Sequence, residues 1–238
     1  MARKSKNVAA ARGQYDKTAL YGPEDAAALV RSMAFAKFDE SVDVVFNLGI
    51  DARKADQLVR GTVSLPNGTG KDVRVAAFVD GEAIAEAEAA GADIVGGKEL
   101  AEEISGGGAI EFDIAIATPS MMPHVGKLGS ILGPRGLMPN PKSGTVTPDV
   151  GKAIKEFKAG RVEYRNDRYG NVHVPIGKVS FEIEQLVGNL VVLADEIIRA
   201  RPAAAKGRFV RKVTVSSTMG PGVNLDPARL EDAVKATH

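Results

Sequence analysis

The hydrophobic residues of this chain change their spacing twice, near Pro66–Gly70 and near Gly160. Before the first change, Val42, Val44, Phe46, Leu48 and Ile50 alternate with Asp43, Asn47 and Gly49. That is the period of a half-buried strand. A second strand fits Arg60–Leu65. Between the two changes, Val73–Val79 and Phe112–Ala117 are almost wholly apolar, as strands buried on both faces must be. The segments between them read as helices, Glu82–Ala90 stopping at Gly91 and Lys98–Ile104 stopping at Gly106. Strands alternating with helices indicate an α/β unit with a parallel sheet. After Gly160 the first texture returns. Arg161–Arg165 and Asn171–Ile176 read as a hairpin around Asp167–Gly170, and Arg208–Ser217 as a further strand. The economical organisation is two domains. An α+β outer domain, built from both chain ends (residues 1–67 plus 160–238), is interrupted by an inserted α/β domain (68–159). Two short crossings between domains make a natural hinge.

Helix punctuation fills in the outer domain. Pro23, Glu24 and Asp25 suit the first turn of a helix that should end near Phe38. Ser180 is placed to cap a long helix running to Arg199, and Asp226-Pro227 to open a terminal one. Residues 1–14 read as a basic arm, mobile when free.

Composition removes whole classes of function. The chain has no cysteine, which excludes disulfides, thiolate metal sites and cysteine nucleophiles. No apolar run approaches the roughly 18 residues of a membrane span, and the basic N-terminus lacks the apolar segment of a secretory signal. With no Trp and 5% aromatics, broad base-stacking platforms are not expected. His124, His173 and His238 show no metal-binding spacing, and no cofactor is expected.

The formal net charge of +1 conceals segregation. Asp80–Asp113 holds ten acids against Lys98 alone, a charge of −9, which leaves +10 for the rest. Acid-free basic runs lie at Arg3–Tyr15 and Ile197–Leu225, the latter containing Lys206, Arg208, Arg211 and Lys212. Such asymmetry points to a polyanionic partner for the basic part. The outer domain also carries Arg60, Arg161, Arg165, Arg168 and Lys178, and these scattered bases suit a folded RNA read through shape and phosphates.

The stretch Leu128–Val146 stands apart, with glycines at 129, 133, 136 and 144 and prolines at 134, 139 and 141. Proline fixes φ and donates no hydrogen bond, so the expectation is that neither helix nor central strand runs through. No acid occurs from Ile114 to Pro148. Two readings stand: a rigid basic loop facing phosphates or a partner, and a proline-stiffened loop covering a sheet edge.

An enzyme on the inserted domain is the competing reading. Gly91–Lys98 resembles a phosphate loop, but Lys98 is one place late and Glu99 replaces the required Ser or Thr. No Gly-x-Ser-x-Gly elbow exists. A small-molecule pocket edged by Gly91–Gly97 is the surviving form of that alternative.

The run Gly133-Pro134-Arg135-Gly136-Leu137-Met138-Pro139-Asn140-Pro141-Lys142, continuing to Val146, resembles the signature of large-subunit ribosomal protein one, the L-one family of the lateral stalk. Ala36–Glu40, Arg60–Pro66, Gly160–Asp167 and Thr218–Pro221 are family-like too, so the resemblance covers about Lys17 to Pro221. It implies a non-enzymatic protein with an interrupted RNA-binding outer domain and a Rossmann-like inserted domain. The implied partners are large-subunit ribosomal RNA, exit-site tRNA whose deacylated form it helps release, and the messenger RNA of its own operon, which it represses. It implies a cytoplasmic, ribosome-bound protein, monomeric when free and with no membrane partner. The family's RNA contacts carry over to Lys37, Phe38 and Glu40, and to Thr218, Met219 and Gly220. Arg60, Arg165, Arg168 and His173 complete the candidate set. Phe38 is expected to pack on Met219 and join the two segments. The signature loop is left as a secondary RNA contact or an interdomain one.

Overall fold

A computed structural model describes residues 6–81 and 83–236. Along the chain run α1 (Lys6–Arg12), α2 (Pro23–Met33), β1 (Ser41–Leu48), β2 (Arg60–Ser64), β3 (Val75–Phe78), α3 (Ala83–Ala89), β4 (Ile94–Gly96), α4 (Lys98–Ser105) and β5 (Ile114–Ala117). They are followed by α5 (Met122–Val125), α6 (Gly129–Arg135), α7 (Val150–Lys158), β6 (Arg161–Arg165), β7 (Asn171–Lys178), α8 (Ile183–Arg199), β8 (Val210–Ser217), β9 (Val223–Leu225) and α9 (Pro227–Ala236). The chain divides into two compact units, Met1–Gly70 with Val162–His238, and Lys71–Arg161.

The first unit is built on a four-stranded antiparallel sheet in the order β7-β1-β8-β9. Strict alternation along β1 buries Val42, Val44, Phe46 and Leu48. They pack with Val30 of α2, Leu190 and Leu193 of α8 and Leu230 of α9 in one apolar cluster. The opposite face is half open and polar. Cross-strand neighbours there are Asp43 with Pro175 and Ser216, Val45 with His173 and Thr214, and Asn47 with Asn171 and Lys212.

Several local expectations give way to tertiary context in this unit. The hairpin does not form as a ladder: β6 pairs with β2 in a separate two-stranded sheet, β7 pairs with β1, and only an Asn166–Val172 bridge joins the two. The buried Asn166 side chain accepts the N–H of Val59 at 2.8 Å, which draws β6 toward the β2 side. The first long helix ends at Met33, not Phe38, because the backbone beyond it turns to serve Glu40. Ser180 does not cap α8. Its N–H and hydroxyl go to the Asp39 carboxylate at 3.1 and 2.8 Å, and Gln185 accepts the N–H of Glu182 at the helix start instead. Part of the basic arm is helical, since Lys6–Arg12 buries Ala11 against the unit's core; residues 1–5 lie outside the described residues. β9 was hidden in sequence because it is only three residues long.

The second unit has a parallel three-stranded sheet in the order β4-β3-β5. Its faces are covered by two apolar clusters, one with α4, α5 and α6, the other with α3 and α7. The helix read as Glu82–Ala90 is observed over Ala83–Ala89, and Glu82 lies outside the described residues.

The proline-rich stretch corrects a firmer expectation. A helix does run through its first part, Gly129–Arg135, with Pro134 in the last turn. One lost hydrogen bond near a helix end is tolerable when Leu128 and Leu132 are buried beside it. Gly136, at φ +74°, ends the helix: its N–H donates to Gly133 and that of Leu137 donates back to Leu132 at 3.0 Å.

Candidate nucleic-acid interface

Glu40 organises one end of the four-stranded sheet. It precedes β1 and its side chain is 1% exposed. One carboxylate oxygen accepts the N–H groups of Phe35 and Ala36 at 3.1 and 2.8 Å. The other accepts the N–H of Met219 at 3.0 Å. Burial alone would raise its pKa. The Ser217 hydroxyl beside it and the N–H groups of Met219, Ala36 and Phe35 outweigh that, and hold the carboxyl below the usual glutamate range. A buried anion thus ties the segment after α2 to the segment after β8.

The ladder between β1 and β8 is extended by the same residues. Thr218 N–H donates to Ser41 O at 3.0 Å, and Ser41 N–H donates to Thr218 Oγ1 at 3.0 Å. Lys178 Nζ reaches Ser41 Oγ at 3.1 Å. Gly220 is required by close approach, since a Cβ there would collide with the buried Ser217 hydroxyl. On this frame Lys37, Phe38 and Met219 face outward; Phe38 is 56% and Met219 51% exposed. Both side chains lie largely on the surface, and the hydrogen bonds that join the two segments are those of Glu40.

Lys37, Phe38, Glu40, Thr218, Met219 and Gly220, spread over more than 180 positions of sequence, therefore meet at one edge. The arrangement offers a cation, two exposed apolar side chains and a fixed backbone. That combination can meet a phosphate and an unstacked base or ribose. Sequence reading missed Ser41 and Ser217, which only the ladder places there, and Asp39, whose bond to Ser180 holds the loop.

Arg165, Arg168 and His173 gather at the other end of β7. The Asp167 carboxylate accepts the N–H groups of Tyr169 and Asn171, both at 2.8 Å, and the Asn171 side chain at 3.0 Å. His173 Nε2 lies 3.7 Å from it. Burial would raise the pKa of Asp167, but these donors prevail and lower it. Arg165 and Arg168 are exposed, and the Arg168 guanidinium sits 5.6 Å over the Tyr169 ring. Tyr169, 73% exposed, is a further candidate that sequence reading passed over; its place in a turn beside Arg168 was the available signal.

Arg60 differs from these cations in having a close carboxylate partner. It lies on β2 with Nη2 2.6 Å from Glu163 of β6, so its charge is already matched. Arg60→Ala should leave RNA affinity and its salt dependence unchanged and cost about 1 kcal/mol of stability. Urea unfolding and a binding titration check both parts, and a shallower salt slope would return Arg60 to the interface.

In the second unit the signature loop is internally tied. Ser143 and Thr145 are buried, Thr145 Oγ1 accepts the N–H of Asn140 at 2.8 Å, and Ser143 Oγ donates to Asn140 O at 3.1 Å. Pro139 is buried and Leu137 and Met138 pack on the core. Gly133, Pro134, Arg135 and Gly136 form an exposed tip, and Pro141 is exposed too. The Lys142 side chain lies outside the described residues. Within Gly91–Gly97, Asp93 is committed to the fold: it accepts the N–H of Val75 at 2.8 Å and pairs with Lys158 at 3.1 Å.

The model of the ribosomal protein L1p/L10e family matches residues 30–221. The chain belongs to that family. It is 56% identical over 231 residues to a large ribosomal subunit protein uL1 of Cutibacterium acnes, covering 97% of this chain and 99% of the relative. The protein of the same name from Methylobacillus flagellatus is 57% identical over 230 residues, 97% of this chain and all (100%) of the relative. That of Thermobifida fusca is 51% identical over 234 residues, with coverage of 98% and 99%. The family is one of ribosomal proteins, not enzymes, and both segments held by Glu40 fall within its matched span. Among the described residues, no helix is long and apolar enough to cross a membrane.

Proposed function

We propose that this chain is a cytoplasmic protein of the large ribosomal subunit that binds ribosomal RNA at the lateral stalk through its discontinuous unit. The observation that carries the reading is the Glu40 lock, which presents Lys37, Phe38 and Met219 on a rigid edge. Arg165, Arg168 and His173 extend the contact along β7. The exposed tip Gly133–Gly136, with Arg135 and no acid in its segment, supplies a secondary RNA contact from the inserted unit. Assistance to deacylated tRNA release and repression of its own operon through a similar messenger-RNA structure follow from the family resemblance. Free of RNA, the protein is a monomer.

The direct test is equilibrium binding to a stalk fragment of large-subunit RNA and to an unrelated duplex of equal length. Preference for the fragment supports the reading; equal affinity for both rejects it. The salt dependence is a second prediction. Phosphate contacts release counterions, so log affinity should fall linearly with log salt, with a slope of roughly −0.7 to −0.9 per contact. Affinity that does not change with salt would remove phosphates from the interface.

A further inference from the structure

We propose that a basic recess at the end of the sheet opposite Glu40 holds phosphates of the same RNA, so that the nucleic acid runs along the open sheet face. The inference rests on the RNA-binding reading above and adds a site to it. The recess measures about 380 Å³ and is lined by Gly49, Asp51, Lys54, Gln57, Lys206 and Arg211, among others.

Its walls are fixed. Gly49 N–H donates to Phe209 O at 2.6 Å, and a side chain at position 49 would collide with the Arg208 carbonyl. This contact brings the end of β1 against the start of β8 and leaves Arg211 Nε 3.2 Å from where a Cβ on Gly49 would lie. The loop carrying Lys206 is pinned by Arg201, whose guanidinium donates to Ala205 O and Gly207 O, both at 3.0 Å, and lies 5.9 Å over the Phe209 ring. The turn carrying Lys54 is closed by its own N–H to Asp51 O at 3.0 Å and by Asp51 N–H to Gln57 at 2.8 Å.

The charges in it are unmatched. Arg31, Arg60 and Arg199 each have a carboxylate partner. Lys54, Lys206 and Arg211 are exposed and have no ion-pair partner among the described residues. Asp51 is the lining acid, and it accepts the Arg53 N–H at 3.2 Å. Three cations against one carboxylate leave +2 in the lining; the charged residues next in sequence are Arg53, Arg208 and Lys212 and the acid Asp56. A fixed polar recess with unmatched cations suits a polyanion's phosphates and does not suit an apolar ligand. The row Lys212–Asn47–Asn171 comes next along the sheet, and from it the open face runs past His173 toward Thr218. The eight residues of β1 make that path about 23 Å long, enough to seat several nucleotides.

The test compares the wild-type chain with a Lys54→Gln, Lys206→Gln, Arg211→Gln variant on large-subunit ribosomal RNA over a range of salt. A Lys98→Gln, Lys152→Gln, Lys155→Gln variant makes the same charge change on the other unit. Removing three phosphate contacts should make the salt slope shallower by about 2.1 to 2.7, so the affinity loss should be about 20- to 40-fold larger at 50 mM than at 200 mM salt. The control variant should keep the wild-type slope. An unchanged slope in the recess variant, or an equal change in the control, would overturn the proposal. Both outcomes are read against wild type preferring ribosomal RNA over a homopolymer; absence of that preference would remove the functional reading itself and the recess with it. All three side chains are exposed, so the variant should melt with wild type, and Arg211→Lys should retain the slope.

Discussion

Glu40→Gln should unfold the RNA-binding edge while leaving the rest of its unit intact. The amide keeps one acceptor oxygen and turns an NH2 toward backbone N–H groups that the second oxygen now satisfies. Hydrogen bonds to a buried charge are worth about 1.5–3 kcal/mol each, and a donor facing a donor leaves both unsatisfied. The expected loss is about 3 kcal/mol of stability, with specific RNA affinity falling by about a hundredfold at a temperature where the variant is still folded. The lowered pKa adds a signature. A group whose pKa is depressed by folding stabilises above its unfolded pKa, near about 4.3 for Glu, and loses that contribution as pH falls through the folded value. Wild type should therefore lose stability below about pH 4.3 more steeply than the variant does. Chemical denaturation at several pH values, with binding measured in parallel, checks the three statements. Wild-type affinity in the variant would show that the edge does not depend on Glu40.

The second large effect concerns the two units. Joining Gly70 to Val162 through a short glycine-rich linker removes Lys71–Arg161. The remaining unit should still unfold cooperatively, because its apolar cluster is made from its own residues, Ala11 through Leu65 and Tyr164 through Val234. It should keep specific RNA affinity to within about tenfold, the residual loss reflecting the secondary contact at Gly133–Gly136. Electrostatics favour this: Lys71–Arg161 holds ten Lys and Arg against thirteen Asp and Glu, so its removal raises the net charge from +1 to +4. The isolated unit Lys71–Arg161 should lose specific binding altogether. A non-cooperative melt of the joined chain would show that one unit cannot stand without the other. Cooperative folding with abolished binding would move the site into the inserted unit.

Two kinds of information in this chain behaved differently. Alternation of Val42, Val44, Phe46 and Leu48 was enough to define β1 and its buried face, because a period of two leaves no other way to bury those side chains. The apolar runs at Val75–Phe78 and Ile114–Ala117 likewise announced strands covered on both faces, and the ordered signature from Gly133 to Val146 was enough to indicate the family. These signals are local or linear, so a single sequence carries them whole.

What depended on distant partners was not legible. Arg161–Arg165 and Asn171–Lys178 look like one hairpin, yet β2 and β1, more than 100 positions upstream, take one strand each. Pro134 argued against a helix, but burial of Leu128 and Leu132 outweighs one missing hydrogen bond in a last turn. Arg60 looked like a free base until Glu163 came beside it. Glu40 was placed in the RNA-binding set by resemblance; its role as the buried acceptor that joins residues 35–36 to 219 exists only in three dimensions. The cause is common to these cases. A hydrogen bond or ion pair between residues far apart in sequence leaves no periodic trace in either segment, and folding alone brings the two groups within reach of each other.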